Sequence, residues 1–186
     1  MIKRLLHQFR TFRRREDGMA TIEFVFWFPI FIMTTYSAVE VGIGAFNHAN
    51  LERGLDETIR DVRLNNLEKY TTNVQDGWTH TLLKEIVCDK ALYIPDCKEN
   101  LILEMTRVDP FVGNTLDPNP YCIDTPATIR NNQVFEPGSS DELMIVRACV
   151  EVKPLWRGTT LGVIAQRKPN GMYELHATTV FVYEPT

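Results

Sequence analysis

Residues 19–46 read MATIEFVFWFPIFIMTTYSAVEVGIGAF, with Glu23 and Glu40 as the only charges. As a helix, this stretch extends about 42 Å, more than the roughly 30 Å of a bilayer's hydrocarbon core. The uninterrupted apolar part, Phe24–Val39, covers 16 residues. It becomes long enough to cross once Met19–Ile22 and Val41–Phe46 are added. The reading is a transmembrane helix over 19–46, with the lipid bilayer as its first partner. Glu23 is expected near the inner interface and Glu40 near the outer one, its carboxylate reaching water.

The flanks set an orientation. Residues 1–18 hold Lys3, Arg4, Arg10, Arg13, Arg14 and Arg15 against Glu16 and Asp17, a net charge of +4. The remaining 168 residues hold 14 Lys/Arg and 22 Asp/Glu, a net of −8. A basic head on an acidic body fits two different surroundings, and positive charge just before an apolar span stays cytoplasmic. The expected placement is the inner membrane, crossed once, with a cytoplasmic N-terminus and a periplasmic C-terminal domain. An acidic body also speaks against nucleic acid as a partner, despite Arg13-Arg14-Arg15.

Beyond the span, Leu51, Leu55, Ile59 and Val62 recur at helical spacing, and Glu52, Arg53, Glu57, Arg60 and Arg63 take the opposite face. One long helix from about 19 to 66 is therefore expected, ended by Asn65-Asn66, with Gly42, Gly44 and Gly54 as points where it can bend. A short helix is expected at about 77–88. Leu101–Val108, Leu143–Val152 and Met172–Tyr183 carry the alternation and β-branched content of strands, with Leu161–Gln166 as a further strand across the turn Lys168–Gly171. Asp109–Asp141 reads as a Pro-rich surface excursion. The fold class is α+β: a long transmembrane and amphipathic helix, then a small antiparallel sheet with one short helix. The domains are a leader at 1–18, the span at 19–46 and an extracytoplasmic unit at 47–186.

Cys88, Cys97, Cys122 and Cys149 all lie in that unit, and an even count in an exported domain favours disulfides. Three connectivities are open. We expect Cys88–Cys97, closing a short loop after the second helix, and Cys122–Cys149, tying the Pro-rich excursion to a strand. Their spacings lack the close pairs of a zinc site, so no metal or other cofactor is expected.

The N-terminus can be handled in three ways. A secretory signal would be cut near Thr35-Tyr-Ser37, before Ala38. An uncut anchor is the second option. Both leave Glu23 unexplained, and a carboxylate at membrane depth costs about 2.5–3.5 kcal/mol on insertion scales. The third is cleavage after Gly18, making Met19 the new terminus and Glu23 the fifth mature residue. The run Gly18-Met-Ala-Thr-Ile-Glu23-Phe24-Val-Phe-Trp-Phe-Pro29 resembles the start of TadE-like pseudopilins of the Tad (tight-adherence) pilus system, within the type IV pilin superfamily. Those proteins carry a basic leader ending in Gly, a Glu at the fifth mature position, an aromatic after it and a Pro some six residues on. The resemblance implies processing at Gly18/Met19 by a prepilin peptidase and partners among other pilins and the assembly platform in the inner membrane. It also implies a structural part in a pilus used for adhesion, either in the extracellular filament or in its assembly. Glu23 and Phe24 would then serve subunit docking. A buried pairing of Glu23 with a neighbour's terminal ammonium gives alignment more than net stability.

Two other classes compete. An envelope enzyme would need a catalytic motif, and none of the G-x-S-x-G, H-E-x-x-H or phosphate-loop type is present. No catalytic residue is therefore assigned. A single-pass envelope binding protein, uncleaved and unrelated to pili, is the alternative reading.

Overall fold

The computed structural model describes residues 19–71, 77–109, 111–112, 122, 135–139 and 141–184, with backbone alone at 19–20. Helix α1 runs unbroken over Met19–Arg63, and a 3₁₀ turn follows at Leu67–Lys69. Then come α2 (His80–Lys90), α3 (Cys97–Asn100), β1 (Leu101–Arg107), β2 (Leu143–Val152), α4 (Thr160–Ala165) and β3 (Tyr173–Val182). The three strands form one antiparallel sheet in the order β1-β2-β3. The class is α+β, a long apolar helix followed by a small antiparallel sheet and short helices.

The stop of α1 is written locally. Asn65 adopts a left-handed conformation with φ 51°, which Asn tolerates better than most residues. The Asn66 N–H reaches back to the Asp61 carbonyl at 2.9 Å and the Asn65 N–H to that of Val62 at 3.0 Å. This is the Schellman pattern, which satisfies carbonyls that the helix end would otherwise leave open.

Leu51, Leu55, Ile59 and Val62 are all buried, so the stripe forms one wall of the core. The other wall is one face of the sheet: Leu101, Leu103 and Met105 from β1, Met144, Val146, Ala148, Val150 and Val152 from β2, and Tyr173, Leu175, Ala177 and Phe181 from β3. The register lines up Leu103, Ala148 and Ala177 across the three strands. Helix α2 adds Leu83, Ile86 and Val87, and its start is capped by the Thr79 hydroxyl, which accepts the Leu82 N–H at 3.3 Å.

Polar groups tie α2 to the end of α1. Lys90 Nζ donates to Asp61 Oδ2 at 2.6 Å and to the Glu57 carbonyl at 2.8 Å, and the Tyr70 hydroxyl donates to the same carboxylate. Burial alone would raise the Asp61 pKa. The hydrogen bonds from Lys90 and Tyr70, with the charges of Lys90 and Lys69, outweigh it and hold the carboxyl well below the usual range.

Three expectations change. Leu161–Gln166 is not a strand: Thr160–Ala165 is helical, because the Thr159 hydroxyl accepts the Gly162 N–H at 3.3 Å and nucleates a turn. The turn after it is present, with the Gly171 N–H on the Lys168 carbonyl and φ 66° at Gly171, but it joins a helix to β3. Short helices number more than the one expected, since α3 and α4 join α2. Gly54 is no bend. A Cβ there would lie 2.8 Å from both Cβ and N of Ala91, so this glycine lets α2 lie directly against α1.

Most of the Asp109–Asp141 excursion lies outside the described residues, as does the 1–18 leader. Of the excursion, Phe135 pairs with Met105 in an isolated bridge, and Glu136 donates its N–H to the Met105 carbonyl at 3.0 Å, covering part of the outer edge of β1.

Candidate functional site

Two halves of α1 frame the site. From Thr21 to Val39 the side chains are exposed, with only Ile32 and Ser37 partly covered. Phe24, Val25, Phe26, Trp27, Ile30, Phe31 and Met33 each show more than half of their surface. An apolar belt all around a helix is what lipid or other apolar helices cover, and water does not. Met19–Val39 corresponds to a rise of about 32 Å, close to the hydrocarbon thickness of a bilayer. Among the described residues, the first fully buried one is Glu40.

Inside the belt the polar backbone is looked after locally. Thr34 and Thr35 donate their hydroxyls back to the Ile30 and Phe31 carbonyls at 2.8–3.0 Å. Pro29 lies within the helix and has no N–H to give to the Val25 carbonyl. Phe24 stacks on Phe28 with ring centroids 4.8 Å apart. Glu23 is exposed at the lower end of the belt, one turn from Met19, near the positive end of the helix dipole. Gly18 lies outside the described residues, and of Met19 only the backbone is described.

The upper end of the belt departs from expectation. Glu40 does not reach water, being 2% exposed. Its Oε1 accepts the Trp156 N–H at 3.1 Å, while Oε2 has no hydrogen-bond partner among the described residues. The Trp156 ring stacks on Tyr36 with centroids 5.0 Å apart. The loop between β2 and α4 therefore folds down over the helix and closes on Glu40. Above it, burial raises the pKa of the Tyr173 hydroxyl, with a hydrogen bond from Asn47 opposing the shift.

The cysteines form two bridges, Cys88–Cys97 and Cys122–Cys149, with Cα atoms 5.7 and 5.6 Å apart. Cys88–Cys97 clips the end of α2 to α3. Cys122–Cys149 lies on the sheet face away from α1, across from His176 in the β2–β3 register. Cys122, Cys149 and His176 lie within 4.8 Å of one another, but a sulfur held in a disulfide is not the thiolate that a zinc ion requires.

The described residues thus define a protein with one helix long and apolar enough to span a membrane, carrying an α+β head on its far half. A family model for TadE-like proteins matches residues 18–60, from Gly18 through the belt and most of the buried stripe. Over those residues the chain is similar to TadE-like proteins. No curated protein and no solved structure matches the chain.

Proposed function

We propose that this chain is a pseudopilin: a non-enzymatic, membrane-anchored component of a Tad-type pilus, processed by a prepilin peptidase between Gly18 and Met19. The observation that carries the reading is the TadE-like match, which begins at Gly18 and contains Glu23, Phe24 and Pro29. The belt supports it, since the same apolar surface suits a bilayer before assembly and a bundle of like helices after it. Cleavage creates an ammonium at Met19. The Glu23 carboxylate of one subunit then pairs with the ammonium of the next and sets their axial register. The basic leader stays on the cytoplasmic side and the α+β head faces the periplasm. The pseudopilin's partners are other pilins and the assembly platform.

N-terminal sequencing of membrane-extracted protein tests this. Met19 at the mature terminus, with Gly18→Val leaving a precursor that retains the leader, is the expected result. Ala38 at the terminus, or an intact Met1, overturns it.

A further inference from the structure

We infer that the Lys153–Gly158 loop is a second membrane contact, resting Leu155 and Trp156 in the interface of the bilayer that α1 spans. The inference depends on α1 being a membrane anchor and adds to it a fixed seat for the head.

Height along the helix is the first argument. Trp156 stacks on Tyr36, which lies nine residues past Trp27, about 14 Å further along the axis. If the hydrocarbon begins near Met19, Tyr36 lies about 26 Å up, just under the far boundary of a 30 Å core. That is the level at which Trp and Tyr collect in membrane proteins, with an apolar body and a polar handle. Helix α4 packs beside the next turns of α1, where a Cβ on Gly44 would touch Leu161, and its Val163 and Ile164 are exposed.

The second argument is how the loop treats its own backbone. In hydrocarbon every N–H and C=O needs an internal partner, so a loop resting against it gains from pairing its backbone internally. The Trp156 N–H goes to Glu40, the Trp156 carbonyl accepts the Thr159 hydroxyl at 2.8 Å, and the Arg157 carbonyl accepts Gln166 Nε2 at 2.7 Å. A Cβ on Gly162 would come within 2.1 Å of the Trp156 carbonyl oxygen, so the loop is seated directly on α4. These three polar groups are paired within the protein while Leu155 remains 59% and Trp156 38% exposed. Exposed Lys153 and Arg157 flank them and suit headgroup phosphates. Continuity with the belt selects lipid as the occupant.

The test uses the full chain in phospholipid vesicles whose acyl chains carry bromine either near the headgroup or near the chain end. Fluorescence is compared among wild type, Trp27→Phe and Trp156→Phe, so that the contributions of Trp27 and Trp156 follow by difference and buried Trp78 stays in place. The expected result is that Trp156 is quenched several-fold more by shallow than by deep bromines, and Trp27 more by deep ones. Quenching of Trp27 without any of Trp156 overturns the loop contact and leaves the anchor standing. No quenching of Trp27 removes the anchor and the inference with it. Blue-shifted Trp156 emission without quenching means that a protein covers the loop, which also overturns the inference.

Discussion

Two halves of one helix behave as two materials. Between Thr21 and Val39, α1 is apolar on all sides and touches almost nothing; between Glu40 and Arg63 it is striped, and the stripe disappears into the head. The backbone is the same, so the difference lies wholly in side-chain distribution. An all-round apolar surface has no preferred azimuth and suits a fluid or repetitive environment. A stripe of Leu51, Leu55, Ile59 and Val62 admits one partner in one orientation. Glu23 and Asp61 show the same contrast for charge. Glu23 stands exposed, and in the proposed reading its counterion comes from another molecule; Asp61 has Lys90 and Tyr70 from its own chain.

The largest expected effect lies in the first half. Glu23→Gln keeps size and removes charge, so leader removal and head stability should be unchanged while piliation is lost; counting pili by electron microscopy checks this. Wild-type piliation would mean that Glu23 merely sits at the headgroups, where a neutral amide is the cheaper group.

Next comes truncation in the two halves. Leu55→Ala should destabilise the head by about 2–5 kcal/mol, since it opens a cavity in a closed core. Phe31→Ala, in the belt, should leave the urea midpoint of the detergent-solubilised chain unmoved. Equal losses from both would break the distinction.

The smallest effect concerns Asp61. Its folded pKa lies below the unfolded value of 3.8, so its stabilisation is complete above that pH and is lost as pH falls below it. Asp61→Asn should cost about 1.5–3 kcal/mol at neutral pH, the range for hydrogen bonds to a charged group. It should also flatten the acid limb of a urea-midpoint-against-pH curve. An unchanged acid limb would assign that limb to other carboxylates.

Much of this was readable from residue order. The stripe, the Asn65-Asn66 stop and the three main strands follow from local period and local turn chemistry. The α4 segment misled because Leu161, Val163 and Ile164 favour strands on composition, while the Thr159 cap outweighs that preference through one hydrogen bond. Glu40 reads as water-facing in the sequence and is buried instead, because Trp156, which closes on it, lies 116 positions further on. Gly54 read as weakness for the same reason: only the arrival of Ala91 turns a missing side chain into a contact. At the site, the family-like run from Gly18 to Pro29 was visible at once because it is contiguous.

An unbroken α1 also couples the two halves in torsion. Each helical residue turns the axis by about 100° and lifts it by about 1.5 Å. The azimuth of Glu23 relative to the sheet is therefore set by the count of residues between them, as the pitch of a screw sets its advance. If neighbouring subunits register through Glu23, that count also fixes which face of each head looks outward. A single inserted residue in the belt would rotate the head about the α1 axis by about 100° relative to Glu23.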